Sequence, residues 1–188
     1  MILRGIAKLA RGNRAGFAEF GTTAEAFSAS LAPLIAFPLV GGVITALTGN
    51  WKIALLGFVS QLCMVLIIPV LTYEFSRLLG RRNLWLRTAT AQNWCYWLVL
   101  PASFIALLVG SLVAPLGVGA QASLFGALGV AGLYLLWNRW FIFKAGLDIH
   151  GGWAALIVLS TIICSGLFMM LPLLVGMPLP GMNGVTLP

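Results

Sequence analysis

Five long apolar stretches, separated by short polar or glycine-containing segments, dominate the pattern of this chain. An α-helix rises about 1.5 Å per residue, so about 20 apolar residues cross the hydrocarbon core of a membrane. The stretches that reach this length are residues 26–48, 51–73, 91–114, 119–143 and 152–176. The pattern therefore predicts an all-α, polytopic membrane bundle of five transmembrane helices within residues 26–177.

The connections between the stretches predict how the helices pair. Gly49 and Asn50 separate the first two stretches, and residues 115–117 separate the third and fourth. Short segments that contain glycine or proline favour turns. We therefore expect two antiparallel hairpins, with the fifth helix following after the polar connection 144–151.

The composition agrees with a membrane protein. The 188 residues are 61% hydrophobic and 8% charged, which leaves too few polar side chains to cover a soluble domain. The formal net charge is +7, and we attribute it to topology and to anionic inner-leaflet lipids, which are the expected partners. A nucleic-acid partner is not needed to explain it.

The basic residues alternate between the two sides of the predicted membrane. One side holds only Lys52, whereas the other holds three clusters: Arg4, Lys8, Arg11 and Arg14; Arg77, Arg81, Arg82 and Arg87; and Arg139 and Lys144. Short loops rich in lysine and arginine stay cytoplasmic. The amino terminus is therefore predicted to be cytoplasmic and the carboxyl terminus outside.

Residues 1–25 form a predicted cytoplasmic, amphipathic segment. Ile2, Ile6 and Leu9 recur at helical spacing, and Arg4 and Lys8 follow the same spacing on another face. This pattern favours a short helix on the inner leaflet, with its cations toward the phosphates and its aliphatic side chains toward the acyl chains. The alternative is a solvated tail without stable structure.

The residues that usually carry catalysis or bind metals form no typical pattern. Cys63, Cys95 and Cys164 lie inside predicted helices without a C-x2-C spacing, and are expected to pack as small apolar residues. His150 is the single histidine, and the four acidic residues lie at or outside the predicted membrane edges. We therefore expect no enzymatic activity, no metal and no cofactor.

Polar residues that enter the predicted helices define a candidate site, because polar groups in lipid are costly unless they are partnered. Asn93 and Asn138 are about equally far from the turn that joins their helices, so their side chains are expected to meet. Tryptophans three residues apart share a helix face. Together these positions predict a box of four indoles around two amides and one guanidinium: Asn93, Trp94, Trp97, Trp137, Asn138, Arg139 and Trp140.

This candidate site has two interpretations. A guanidinium among indoles is suited to binding a lipid headgroup or another anionic ligand. The same residues are also typical of interfacial anchoring, with amides that join neighbouring helices. Gln61, deep in the second stretch, is a further polar candidate with the same two interpretations.

Small residues predict where the third and fourth helices pack. Ala106 and Gly110 in the third stretch, and Gly126, Gly129 and Gly132 in the fourth, allow close backbone approach in lipid. Proline removes a backbone donor and bends a helix. Bends are expected at the prolines within the stretches: Pro33, Pro38, Pro69, Pro101 and Pro172.

Three short motifs carry a family resemblance: Asn93-Trp94, the run 139–141 (Arg-Trp-Phe), and the acidic and aromatic segment 17–27. With its five predicted helices, the chain resembles the small Yip1-like membrane proteins of bacteria over roughly residues 17–177. The resemblance implies a five-helix fold in the bacterial cytoplasmic (inner) membrane and no particular activity. The Asp-Leu-Tyr-Gly-Pro motif typical of eukaryotic members is missing.

Two function classes follow from the sequence. The first is a non-catalytic scaffold or accessory subunit that packs against other subunits of a larger membrane complex and binds lipid headgroups. Its uncharged, Pro/Gly-rich tail, residues 178–188, would lie outside and order along a partner. The alternative is a small transporter or channel for a small solute or anion, built on the proline bends and on Asn93, Asn138 and Arg139.

Overall fold

The computed structural model describes residues 1–47, 49, 51–116 and 119–170, and it is all-helical over these residues. The α-helices are α1 (Ile2–Ala10), α2 (Ala24–Leu47), α3 (Trp51–Leu78), α4 (Trp85–Cys95), α5 (Val99–Val113), α6 (Ala120–Gly146) and α7 (Gly151–Met169). Five segments are long and apolar enough to cross a membrane, with residues 82–113 forming the third. The predicted all-α fold with five membrane-spanning helices is confirmed. Pro172, the tail 178–188 and the end of the fifth stretch lie outside the described residues.

The third span begins earlier than its hydrophobicity predicts. Helix α4 starts at Trp85, whereas the apolar stretch starts at residue 91. Two hydroxyls explain the difference: Thr88 Oγ1 donates to the carbonyl of Leu84 and Thr90 Oγ1 to that of Leu86, both at 2.8 Å. Because these buried polar groups are satisfied within their own helix, the polar segment continues the span.

A 3₁₀ turn over Tyr96–Leu98 separates α4 from α5. Pro101 has no N–H to bond the carbonyl of Trp97, and it lies in the first turn of α5, where a helix needs no such bond. Pro33, Pro38 and Pro69, by contrast, lie inside continuous helices. Because a 3₁₀ turn has fewer residues per turn than an α-helix, the side chains after Cys95 point in other directions than they would in an unbroken α-helix.

The two predicted hairpins are present, and Gly49 adopts a φ of 89° in the first connection. Helix α2 packs on α3, α5 packs on α6, and α7 lies against α3 and α6. At Gly110 an added Cβ would lie 3.1 Å from Leu124 Cα, which confirms close approach there. The expected contact through three glycines of α6 is wrong. An added Cβ meets nothing within 4 Å at Gly126, Gly129 or Gly132. The residue of α6 that faces Gly110 of α5 is Leu124 instead.

The helix predicted near the amino terminus is present as α1, and one of its faces packs against α4 and α6. Leu9 is fully buried in a cluster with Phe17 and Phe20. The end of α1 is bonded to α6: Asn138 Nδ2 donates to the Leu9 carbonyl at 3.0 Å, and the Tyr134 hydroxyl donates to the Ala10 carbonyl at 2.8 Å. These bonds satisfy carbonyls that a helix end leaves unpaired.

Ion pairs join segments at the same end of the bundle. Lys8 Nζ donates to Glu19 Oε1 at 2.7 Å, and this bond, opposed by desolvation, lowers the pKa of the Glu19 carboxyl. Arg81 lies 3.7 Å from Asp148 and connects the α3–α4 and α6–α7 loops. We call this end, which carries α1 and both loops, the basic end; its cytoplasmic location remains a prediction.

The attachment of α1 generates a first prediction. A Cβ at Gly16 would lie 2.8 Å from Leu9 Cγ and 2.9 Å from the Gly5 carbonyl oxygen, so Gly16→Ala forces backbone apart. Overpacking of this kind costs about 1–3 kcal/mol. We expect hydrogen exchange of the α1 amides to accelerate at least about tenfold. Gly57→Ala, where the added methyl meets open space, is the control; unchanged α1 protection in Gly16→Ala would contradict the account.

Candidate functional site

The seven residues of the sequence-predicted site do not form one cluster. Positions 137–140 are consecutive on α6, and successive residues of a helix point about 100° apart, so Asn138 and Arg139 point away from the face of Trp137. Trp137 stacks on Phe141 with ring centroids 5.9 Å apart. Trp140 turns toward α7, where its Nε1 donates to the Gly151 carbonyl at 2.9 Å. The box of four indoles is therefore absent.

The two asparagines do not bond each other. Asn93 Nδ2 donates to Ser30 Oγ at 2.9 Å, and Ser30 Oγ donates in turn to the Phe27 carbonyl at 2.6 Å. Asn138 Nδ2 bonds the carbonyl of Leu9, as described above. The Asn93 amide thus joins α4 to α2, and the Asn138 amide joins α6 to α1.

The other two tryptophans face the side of the bundle that carries α1 and α2. Trp94 packs against the buried cluster around Leu9, and the Trp97 ring lies 5.2 Å from that of Phe37. Together the two indoles line a small apolar groove with Ile2, Leu3, Ile6 and Pro33. These contacts are apolar packing.

Arg139 lines an interior space together with Asn93, another member of the predicted site. It lines a cavity of about 220 Å³ between α2, α3, α4, α6 and α7, which we call the Arg139 cavity. A second cavity of about 340 Å³ adjoins it and shares Gln92, Tyr96 and Arg139. The polar residues of the Arg139 cavity come from four helices and the 3₁₀ turn: Gln61, Gln92, Asn93, Tyr96, Arg139 and Ser165.

No carboxylate of the described residues pairs with Arg139. Glu19 pairs with Lys8, Glu74 with Arg77 and Asp148 with Arg81. The fourth acidic residue, Glu25, lies in the first turn of α2 and forms no ion pair with Arg139. Arg139 lies about seven residues before the end of α6 at Gly146, which is about 10 Å along the helix. Its Cα therefore lies about two turns inside a spanning helix, and charged residues in such positions are costly and usually functional.

Gln92 is the second unpartnered group of this cavity. Its residue is 5% exposed, and its Oε1 is buried without a hydrogen-bond partner. A glutamine amide offers a carbonyl oxygen that accepts hydrogen bonds and an NH2 group that donates them. The amide can therefore donate to an anion or accept from a hydroxyl beside Arg139.

Gln61 and Arg139 are polar candidates from the sequence, whereas Gln92 and Tyr96 lie outside the predicted site. Gln92 directly precedes Asn93, and its polarity inside an apolar segment is the sequence feature that could have identified it. Tyr96 lines both cavities because the 3₁₀ turn places it there, and that interruption was not predicted. The cavity thus combines predicted polar residues with neighbours that only packing brings together.

The described residues contain no group of three His, Cys, Asp or Glu side chains close enough to hold a metal ion. Cys95 is 4% exposed and belongs to the cluster around Leu9, which confirms its predicted role in packing. Chemically, the cavity offers hydrogen-bond donors and one positive charge. It is suited to binding anionic oxygen atoms.

Fold and cavity together define a class: an integral membrane protein with five spanning helices and a polar interior space. Comparison of the chain with family models, with curated proteins and with solved structures gave no match. The resemblance to the Yip1-like group is neither supported nor opposed by this result.

The bond between α2 and α4 generates a second prediction. In Ser30→Ala, the buried Asn93 Nδ2 loses its acceptor, which we expect to cost about 0.6–2 kcal/mol in a membrane protein. Denaturation in mixed micelles measures this loss. Ser111→Ala is the matched control, since the exposed Ser111 hydroxyl bonds only the Leu108 carbonyl of its own helix. Equal stability of the two variants would show that the Asn93–Ser30 bond does not stabilise the bundle.

Proposed function

We propose that this protein is a non-catalytic integral membrane protein that binds the anionic oxygens of a phosphate or carboxylate group at Arg139, inside its helical bundle. One observation carries the proposal. The Arg139 guanidinium, which forms no hydrogen bond or ion pair with the described residues, lines the same cavity as Gln92, whose Oε1 is buried without a hydrogen-bond partner.

The energetics favour a ligand. An uncompensated charge in a low-dielectric interior costs several kcal/mol, and an anion of good geometry offsets much of that cost. Arginine offers a planar set of N–H donors that matches the oxygens of phosphate or carboxylate. The amides of Gln61 and Gln92 and the hydroxyl of Ser165 line the remaining wall. A cavity of about 220 Å³ has room for a small anionic group and water.

The same wall argues for binding rather than catalysis. Its described polar residues are amides, a guanidinium, a phenol and a hydroxyl. None of them is a carboxylate or an imidazole, the groups that most often transfer protons at neutral pH. A chain with such a site holds an anion and has no evident means of transforming it.

Several finer properties remain predictions from the sequence: location in a bacterial cytoplasmic membrane, a cytoplasmic amino terminus and similarity to the Yip1-like group. The accessory-subunit and transporter classes are also predictions. Either class is compatible with anion binding at Arg139, since a subunit can hold a lipid headgroup and a transporter can hold its solute.

Titration of the purified protein in neutral detergent tests the proposal. Inorganic phosphate serves as the free-anion probe and phosphatidic acid as the headgroup probe, with phosphatidylcholine of the same acyl chains as reference. We expect Arg139→Gln to raise the Kd of whichever charged probe binds by about tenfold or more, equivalent to 1.4 kcal/mol. Gln92→Leu should raise it by a smaller factor, because a neutral hydrogen bond contributes less than a charged one.

Arg14→Gln is the matched control, because it removes one positive charge from an exposed position of the 3₁₀ turn Arg14–Glu19. It should leave the Kd within about twofold, since exposed charges act weakly. Binding of phosphatidic acid alone identifies a lipid headgroup as the source of the anion, and binding of phosphate identifies a soluble one. Equal affinities of Arg139→Gln and the unchanged protein for both probes would refute the proposal.

A further inference from the structure

The Arg139 cavity adjoins an apolar groove. The groove has a volume of about 420 Å³ and lies between α2 and α3; we call it the α2–α3 groove. Four residues belong to the walls of both spaces: Leu34, Gln61, Val65 and Tyr96. A molecule bound beside Arg139 therefore lies next to the groove, with these four side chains at the border.

The groove opens on the outer surface of the bundle. Phe37 is 66% exposed, and Gly41 and Gly57 are also exposed along the same wall. A Cβ added at Gly41 or Gly57 would meet no atom within 4 Å, so the absence of side chains there leaves the groove open. In a membrane this surface faces acyl chains, and the groove is accessible from lipid.

The groove also has a length and a direction. Its α2 wall extends from Pro33 to Thr45, which is about 18 Å of helical rise. Arg139 lies about 10 Å from the basic end, and the groove leads from there toward the opposite end of the bundle. A lipid of the leaflet at the basic end has the same orientation, with its charged head near that surface and its chain toward the membrane centre.

We infer that the ligand is an anionic amphiphile, whose charged head binds Arg139 and one of whose alkyl chains lies in the α2–α3 groove. This inference rests on the proposed anion binding and specifies the class of ligand. Charge complementarity selects the head, and burial of apolar surface favours the chain, since each buried methylene adds to the affinity. A free inorganic anion would bind in the cavity and leave the α2–α3 groove unoccupied.

Two phosphate monoesters with equal heads and different chains test the inference. Ethyl phosphate and dodecyl phosphate are titrated into the protein in neutral detergent, with tryptophan fluorescence as readout, because Trp97 lines the groove. We expect dodecyl phosphate to bind at least tenfold more tightly. In Gly41→Leu and Gly57→Leu, whose new side chains fill the groove, this advantage should fall to about twofold or less.

Gly129→Leu is the control for partitioning of the longer ester into detergent. A Cβ at Gly129 also meets open space, but Gly129 belongs to neither the groove nor the Arg139 cavity. This variant should keep the full chain-length advantage. Equal affinities for the two esters, or an advantage that survives in both groove variants, would overturn the inference while anion binding stands. Failure of both esters to bind in an Arg139-dependent manner would overturn the proposed function itself.

Discussion

Hydrogen bonding in a solvent that offers no partners is the constraint on which this structure depends. Within lipid, each polar side chain must bond to protein or bear a large desolvation cost. Most hydroxyls of the spans meet this requirement within their own helix: Thr72, for example, donates to the Ile68 carbonyl at 2.6 Å and Thr161 to the Val158 carbonyl at 2.7 Å. The amides of Asn93 and Asn138 instead bond other helices and hold α2 and α1 in place. Three side-chain atoms of the described residues are buried without a partner: Ser60 Oγ, Arg87 Nε and Gln92 Oε1. Of these, Gln92 lines the same cavity as Arg139.

The same constraint explains why the amino-terminal helix belongs to the bundle. The final carbonyls of α1 accept bonds from Asn138 and Tyr134 of α6, and Leu9 fills the space between α4 and α6. These contacts hold the part of α6 near the basic end in place, and Arg139 lies in that part. An amphipathic helix that looks from its sequence like a membrane-surface element thus also supports the walls of the cavity.

Hydrophobic length predicts the number of spans well, because the thickness of the hydrocarbon core imposes it on any sequence. It predicts boundaries less well at α4, where threonines that bond their own helix extend the span beyond its apolar part. Depth is also predictable: Asn93 and Asn138 do lie near the same end of the bundle. Direction around the helix axis is not, because it depends on packing and on the 3₁₀ turn at Tyr96–Leu98. This is why the expected indole box is absent and why Gln92 was not recognised as part of the site.

We propose that an anion from outside the chain balances the charge of Arg139 inside the bundle. An experimental density map of the protein in lipid nanodiscs containing phosphatidic acid tests this claim most directly. The account predicts density for an anionic group about 2.7–3.2 Å from the guanidinium of Arg139 and beside the Gln92 amide. A map in which the Arg139 side chain extends to the basic surface, with apolar side chains filling the cavity, would contradict it.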